Sequence, residues 1–373
     1  MSLKFFMPTK VCFGRNAVVD NASLLRALGS KALVVTGRRS AKVNGSLRDM
    51  EAALQAVDVP YAVYDAISSN PSIKQARDAA GVARSERADL IIGIGGGSPM
   101  DAAKAIAVLA TNDVDDAGLF SGQFDRPVLP VVAVPTTAGT GSEVTQYSIL
   151  TNDSIQSKSS IASGAIFPRL ALLDPRYLEQ LPPDVTANTM VDALSHAVEG
   201  YLSVKADSLS SVLARESMSL IGPCLKSLQQ QPSPATRERL LYASMLAGMV
   251  IAQTGTTAVH AMGYSLTYFK DVDHGKANGL LMYEFLRFLD AHHEGRVADL
   301  LRYLGLASLS ELKDCLQGLL STELKLTSGE VELYSSIAIR TGNIKNTPVP
   351  LTQGDLSDMF TRSFAVAAQV SRR

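Results

Sequence analysis

The chain has 373 residues, 46% of them apolar, with 35 Lys and Arg against 36 Asp and Glu for a formal charge of -1. That length fits two domains, and a near-neutral charge without a basic tract excludes the footprint of a nucleic-acid or anionic-membrane binder, so a small-molecule partner is expected. No apolar run is long enough for a bilayer, the start MSLKFFMPTKVCFG is not organised as a signal peptide, and Cys12, Cys224 and Cys315 are scattered and odd in number. A cytoplasmic protein whose cysteines carry no chemistry is expected.

From residue 31, short β-branched apolar runs alternate with longer helical stretches: KALVVTG, SLRDMEAALQAV, YAVYDAI, SIKQARDAAGVARSE, ADLIIGIGG and SPMDAAKAIAVLA. These read as βα units. Continuously apolar strands imply burial on both faces, hence a parallel sheet with ligands beyond its carboxyl ends. PVLPVVAVPTT continues the series, and between about 146 and 174 come the short strand-like pieces YSILTND, SSIASGAI and RLALLDP. Two prolines in LEQLPPDV then break the chain, and residues 185–373 are almost all helical in pattern. The expected architecture is an α/β domain with a parallel sheet over residues 1–180, followed by an all-α domain over 181–373.

DLIIGIGGGSPMDAAKA ends a buried strand in Gly93, Gly95, Gly96 and Gly97 and opens a helix, with Ser98 as N-cap and Pro99 in its first position. Glycines let the backbone approach a pyrophosphate, and the helix N-terminus supplies N–H donors and partial positive charge. The motif departs from G-x-G-x-x-G in that Ser98 occupies the third glycine's place. The second glycine cluster, VPTTAGTGSEVT, follows another apolar strand and gathers Thr136, Thr137, Thr140 and Ser142 around Gly139 and Gly141. Its hydroxyls suit a ribose or pyrophosphate, and equally a polar surface loop.

In VDALSHAVEGYLS, Asp192 and His196 stand at i and i+4 on one helical face, where both reach a single ion. A surface hydrogen bond between them is the plainer reading. His292 and His293 adjoin at an expected exposed helix end, which leaves His260 in TTAVHAMGYSLT and His274, beside Gly275 and ahead of a new helix, to complete a site. Three imidazoles and one carboxylate suit Fe(II), Zn(II) or Mn(II) and leave room for a substrate oxygen. Spacing alone is equally consistent with three histidines satisfied separately in a helical core.

Together PTKVCFG, GGGSPMDAAKA, PTTAGTGSEVT, DALSHAVEGYLS, the His260 segment and HGKAN resemble the iron-containing, or group III, alcohol dehydrogenases, in order and over nearly the whole chain. The resemblance implies an N-terminal dinucleotide-binding, Rossmann-like domain, a helical C-terminal domain, and a cleft holding nicotinamide and metal. By motif, Asp192, His196, His260 and His274 look like the four metal ligands. Gly95, Gly96, Gly97 and Ser98 would cradle the pyrophosphate, and Asp101, Thr136, Thr137, Thr140 and Lys158 would line the rest of the cofactor site.

The chain departs from the family pattern in places. Four residues after His260, many members carry a histidine that relays protons; here stands Tyr264, whose high ordinary pKa suits a hydrogen-bonded relay rather than a free base. The chain closes in AAQVSRR near where relatives continue into a final helix, which predicts a less well packed end. Where NAD-preferring relatives place an acidic ribose clamp, VVTGRRS has Gly37, followed by Arg38, Arg39 and Ser40, a combination suited to a 2′-phosphate.

The expected activity is therefore hydride transfer between NADP(H), or alternatively NAD(H), and a small alcohol or aldehyde, with Fe2+, or alternatively Zn2+, as Lewis acid. A homodimer is the expected assembly. The runner-up is a lyase resembling dehydroquinate synthase, which also uses NAD and a metal but needs an Arg/Lys-rich substrate pocket that the surroundings of His260 do not suggest. A non-catalytic nucleotide or metal binder leaves the joint presence of glycine turn and ligand set unexplained.

Overall fold

The computed structural model describes residues 3–228, 231–292, 294–320 and 324–367. His293 and the terminal residues 368–373, to which the exposed helix end and the less packed terminus apply, lie outside them. The chain divides into two compact units. One comprises Phe6–Leu181 and Ser233–Leu241; the other comprises Pro182–Pro232 and Tyr242–Arg373 together with Met1–Phe5.

The first unit is built on six strands: β1 (Lys10–Phe13), β2 (Ala32–Gly37), β3 (Tyr61–Ile67), β4 (Leu90–Gly95), β5 (Val131–Pro135) and, after a hairpin formed by β6 (Tyr147–Asn152) and β7 (Ser157–Ala162), β8 (Leu170–Leu173). Their order across the sheet is β1-β8-β5-β4-β2-β3, and every neighbouring pair is parallel. The central strands β4, β5 and β8 are buried throughout, and β2 is buried from Ala32 to Thr36. This is why they read as unbroken apolar runs. β1 was not anticipated: it is a four-residue edge strand whose exposure pattern shows no alternation.

Chain direction reverses between β2 and β4. From β2 the chain moves outward to β3, whereas from β4 it moves the other way to β5. The carboxyl ends of these adjacent strands, Gly37 and Gly95, therefore flank the topological switch point where open α/β sheets place their ligands.

The second unit is helical, with principal helices Pro183–Leu202, Ser208–Ser227, Ala258–Lys270 and His274–Ala291. Every residue from Met190 to Leu202 is buried, so this part of the helix lies in the core of its unit with no face to solvent. The absence of strands expected beyond residue 185 needs correction. β9 (Lys325–Thr327) and β10 (Ala365–Ala367) pair in parallel, and three residues each are too few to register as a pattern.

Candidate active site

At Gly95 the backbone takes φ +152°, and a Cβ there would come within 2.6 Å of Pro99 Cγ, so both conformation and space demand glycine. The helix Gly97–Leu109 follows at once. Its cap residue is Gly96, with no side-chain cap, so Ser98 is the second helical residue rather than the N-cap, and Pro99 is the third rather than the first. Glycine's freedom brings the chain into the helix early, and Pro99 costs little because first-turn N–H groups have no partner within a helix. The Ser98 hydroxyl instead accepts from Asn70 N at 3.2 Å.

The threonine loop lies against this turn. Thr136 N donates to Gly95 O at 2.8 Å, and a Cβ on Gly97 would meet Thr140 Cγ2 at 2.7 Å. Lys158 joins through Asn70, its Nζ donating to Asn70 Oδ1 at 2.9 Å, while Thr151 Oγ1 donates to Asn70 O at 2.9 Å. Asn70, held at φ 54°, is thus a hub missed in the sequence. The N-P turn that places it was its one local signal.

Asp101 turns away from a purely lining role, because its oxygens accept from Ser142 Oγ at 2.6 Å and Ile149 N at 3.0 Å. Beneath it lies Lys104, fully buried, whose Nζ donates to Ser142 O, Ser142 Oγ and Tyr147 O, each at 2.7 Å. Burial lowers this ammonium to about 8, and burial raises the neighbouring Glu143 carboxyl to about 7. Burial likewise pushes Asp101 upward. Through Ser142, Asp101 and Lys104 tie the helix Gly97–Leu109 to the threonine loop, and of this buried group Lys104 and Glu143 went unread in the sequence.

Gly37 ends β2, with Arg38, Arg39 and Ser40 exposed after it. A Cβ on Gly37 would find only Ile67 O, at 3.4 Å, so the position has room for a side chain.

In the second unit, three imidazoles converge on one carboxylate. The Nε2 atoms of His274, His260 and His196 lie 3.8, 3.9 and 4.0 Å from Asp192 Oδ1. Asp192 and His196 share the core helix. His260 sits on the helix Ala258–Lys270, and His274 is itself the first residue of its helix rather than ahead of it. Ligand atoms of Asp192, His260 and His274 all fall within 4.8 Å of one another. Neighbouring ligands about 2.1 Å from a tetrahedral ion would stand about 3.4 Å apart, so a slight contraction closes this set on a metal. His196 and His260 stack with ring centroids 4.7 Å apart, and Tyr264 stacks on His274.

Two further residues belong here. Asn278 Nδ2 donates to Asp192 Oδ1 at 3.2 Å and lies 3.2 and 3.4 Å from Nε2 of His260 and His274. Its amide oxygen is buried with no hydrogen-bond partner among the described residues and lies against Gly263, where a Cβ would stand 2.2 Å from it. Glu199 is fully buried, with one carboxylate oxygen on His260 Nδ1. Both had a local signal: Glu199 follows His196 by three residues and Asn278 follows His274 by four, on the same helical faces.

A glycine turn that opens a helix in one unit and a histidine–carboxylate cluster in the other suit a nucleotide-linked metalloenzyme. Comparison with known proteins narrows the class. Residues 8–175 match the family model for iron-containing alcohol dehydrogenase, and residues 186–363 match that for the Fe-containing alcohol dehydrogenase family, C-terminal. A 1,3-propanediol dehydrogenase of Citrobacter freundii is 30% identical, covering 96% of this chain and 98% of its own. An iron-containing alcohol dehydrogenase structure from Thermotoga maritima is 39% identical with a TM-score of 0.91, covering 97% of this chain and 99% of that one. Sulfoacetaldehyde reductase from Bifidobacterium kashiwanohense, solved in complex with NAD+, is 28% identical with a TM-score of 0.86, covering 97% and 98%.

The chain belongs to the iron-containing alcohol dehydrogenase family. It is a metal-dependent oxidoreductase of the alcohol dehydrogenase and aldehyde reductase type, which sets aside the lyase alternative. Among the described residues no helix is long and apolar enough to cross a membrane.

Proposed function

We propose that Asp192, His196, His260 and His274 hold one divalent ion, Fe(II) in preference to Zn(II), and that the protein interconverts a small alcohol and its aldehyde with NADP(H) in preference to NAD(H). The observation that carries this reading is the convergence of three imidazole Nε2 atoms on Asp192 Oδ1 within 3.8 to 4.0 Å. When bound, the ion supplies Lewis acidity to the substrate oxygen and the nicotinamide exchanges hydride with its carbon.

This chain's residues set the conditions for that exchange. Three neutral imidazoles and one carboxylate offset only half of a dication's charge, leaving the site electrophilic. Tyr264 relays the substrate proton through its hydroxyl in this reading, which its stacking on His274 supports. Gly95, Gly96, Gly97 and Ser98 take the pyrophosphate at the helix N-terminus, with Thr136, Thr137, Thr140, Asp101 and Lys158 around it. Residues 1–180 then act as the cofactor domain and 181–373 as the metal and substrate domain. Gly37, Arg38 and Arg39 border the switch point with space and two exposed cations, which supports recognition of a 2′-phosphate. The relatives' names point to short diols and aldehydes as first substrates to try.

The test combines metal analysis with cofactor titration. His274→Ala should lose the ion and turnover of 1,3-propanediol while NADPH still binds. Full activity with unchanged metal content overturns the four-ligand reading. Light scattering checks the proposed homodimer, and subcellular fractionation checks the proposed cytoplasmic location.

A further inference from the structure

The geometry points to Glu199 as the positioning residue that fixes the tautomer of His260 and so prepares its Nε2 as a ligand atom. The inference rests on the reading of Asp192, His196, His260 and His274 as ligands. Glu199 lies seven residues after Asp192 and three after His196 on the fully buried face of the core helix. Its two oxygens do different work. Oε1 accepts from Thr257 N at 2.8 Å, Thr257 Oγ1 at 2.6 Å, Val259 N at 3.1 Å and His260 N at 3.3 Å. It thereby caps the helix Ala258–Lys270, whose cap residue Thr257 makes no side-chain cap of its own. Oε2 meets His260 Nδ1.

A carboxylate only accepts, so Nδ1 carries the ring proton and the lone pair stays on Nε2, which faces Asp192 Oδ1 at 3.9 Å. One carboxylate therefore sets both where the His260 helix begins and which ring nitrogen is offered to an ion. Glutamine cannot replace it, because its single oxygen serves either the backbone donors or the ring. Its NH2 then confronts whichever is left. If the amide faces Nδ1, the ring is driven to the tautomer with hydrogen on Nε2, which cannot ligate.

The test uses the full-length protein and competition between Zn(II) or Co(II) and a chelator. Glu199→Gln should weaken metal affinity about 10–100-fold, with an altered Co(II) visible spectrum. Thr257→Val removes one cap donor and keeps the Oε2 contact, so it should lower the melting temperature while metal affinity stays within about threefold. Equal affinity in wild type and Glu199→Gln overturns the positioning role but leaves the ligand reading standing. A wild type that binds neither ion overturns the ligand reading and this inference with it. If Glu199→Gln fails to fold, 15N-histidine spectra of the metal-free wild type decide: His260 with hydrogen on Nδ1 supports the role, and hydrogen on Nε2 overturns it.

Discussion

The ring of Tyr264 lies on that of His274, with planes 11° apart and centroids separated by 5.7 Å. The two residues belong to successive helices, and the stack holds the His274 ring whose Nε2 stands 3.8 Å from Asp192 Oδ1. Tyr264→Phe keeps the ring and removes the hydroxyl. If that hydroxyl relays the substrate proton, kcat should fall by about 10–100-fold with metal content unchanged, and Tyr264→His should restore much of it. Identical pH–rate profiles in all three proteins would exclude the relay and leave the stack as the role of the residue.

Gly275 lets two helices pass closely beside the cluster. A Cβ there would overlap the carbonyl oxygen of Asn188 and come within 2.8 Å of Asp192 Cβ. Gly275→Ala should therefore push the His274–Ala291 helix off the core helix. We expect a loss of about 1–3 kcal/mol in denaturant unfolding together with weaker metal binding, since Asp192 and His274 separate. An alanine variant with wild-type stability and metal content contradicts this packing.

Cofactor choice is expected to turn on the end of β2. Because Gly37 has room for a side chain, Gly37→Asp should fold normally and place a carboxylate where a 2′-phosphate is expected. The kcat/KM for NADPH should drop far more than that for NADH, and Arg38→Ala or Arg39→Ala should weaken NADPH selectively. Steady-state kinetics with both cofactors read the ratio directly. Unmodified protein that uses NADH at least as well as NADPH refutes the preference while leaving the chemistry intact.

Glu143 predicts how stability depends on pH. Burial raises its carboxyl to about 7 from an ordinary 4.5, so between those values the folded protein holds a proton that the unfolded chain has released. Stability from this group is therefore lost as pH rises through that window and stays low above it. Glu143→Gln should remove the loss, raising stability by about 1–3 kcal/mol at pH 8 and by little near pH 4.5. Thermal melts of both proteins across this range give the comparison, and a difference independent of pH would rule out the carboxyl as its source.

Local periodicity was enough to read the α/β unit, because β2, β4, β5 and β8 are buried on both faces and their side chains have no solvent-facing alternate to interrupt the apolar run. The glycine turn and the Asp192–His196 pair were legible for the same reason: φ beyond the L-residue range and the turn of a helix are dictated within a few residues. Residues on separate elements were not. β1 exists by pairing with β8, and β9 by pairing with β10, partners far away in the chain. His260 and His274 come to Asp192 from other helices, where Gly275 lets the His274 helix approach the core helix and Glu199 contacts the His260 ring. Asn70, Lys104, Glu143, Glu199 and Asn278 each lie in a stretch whose residue types are common in loops and helices. Their roles come from partners brought within about 3 Å by packing, and spacing along the chain does not encode which donor will face which acceptor once the helices and sheet have closed on one another.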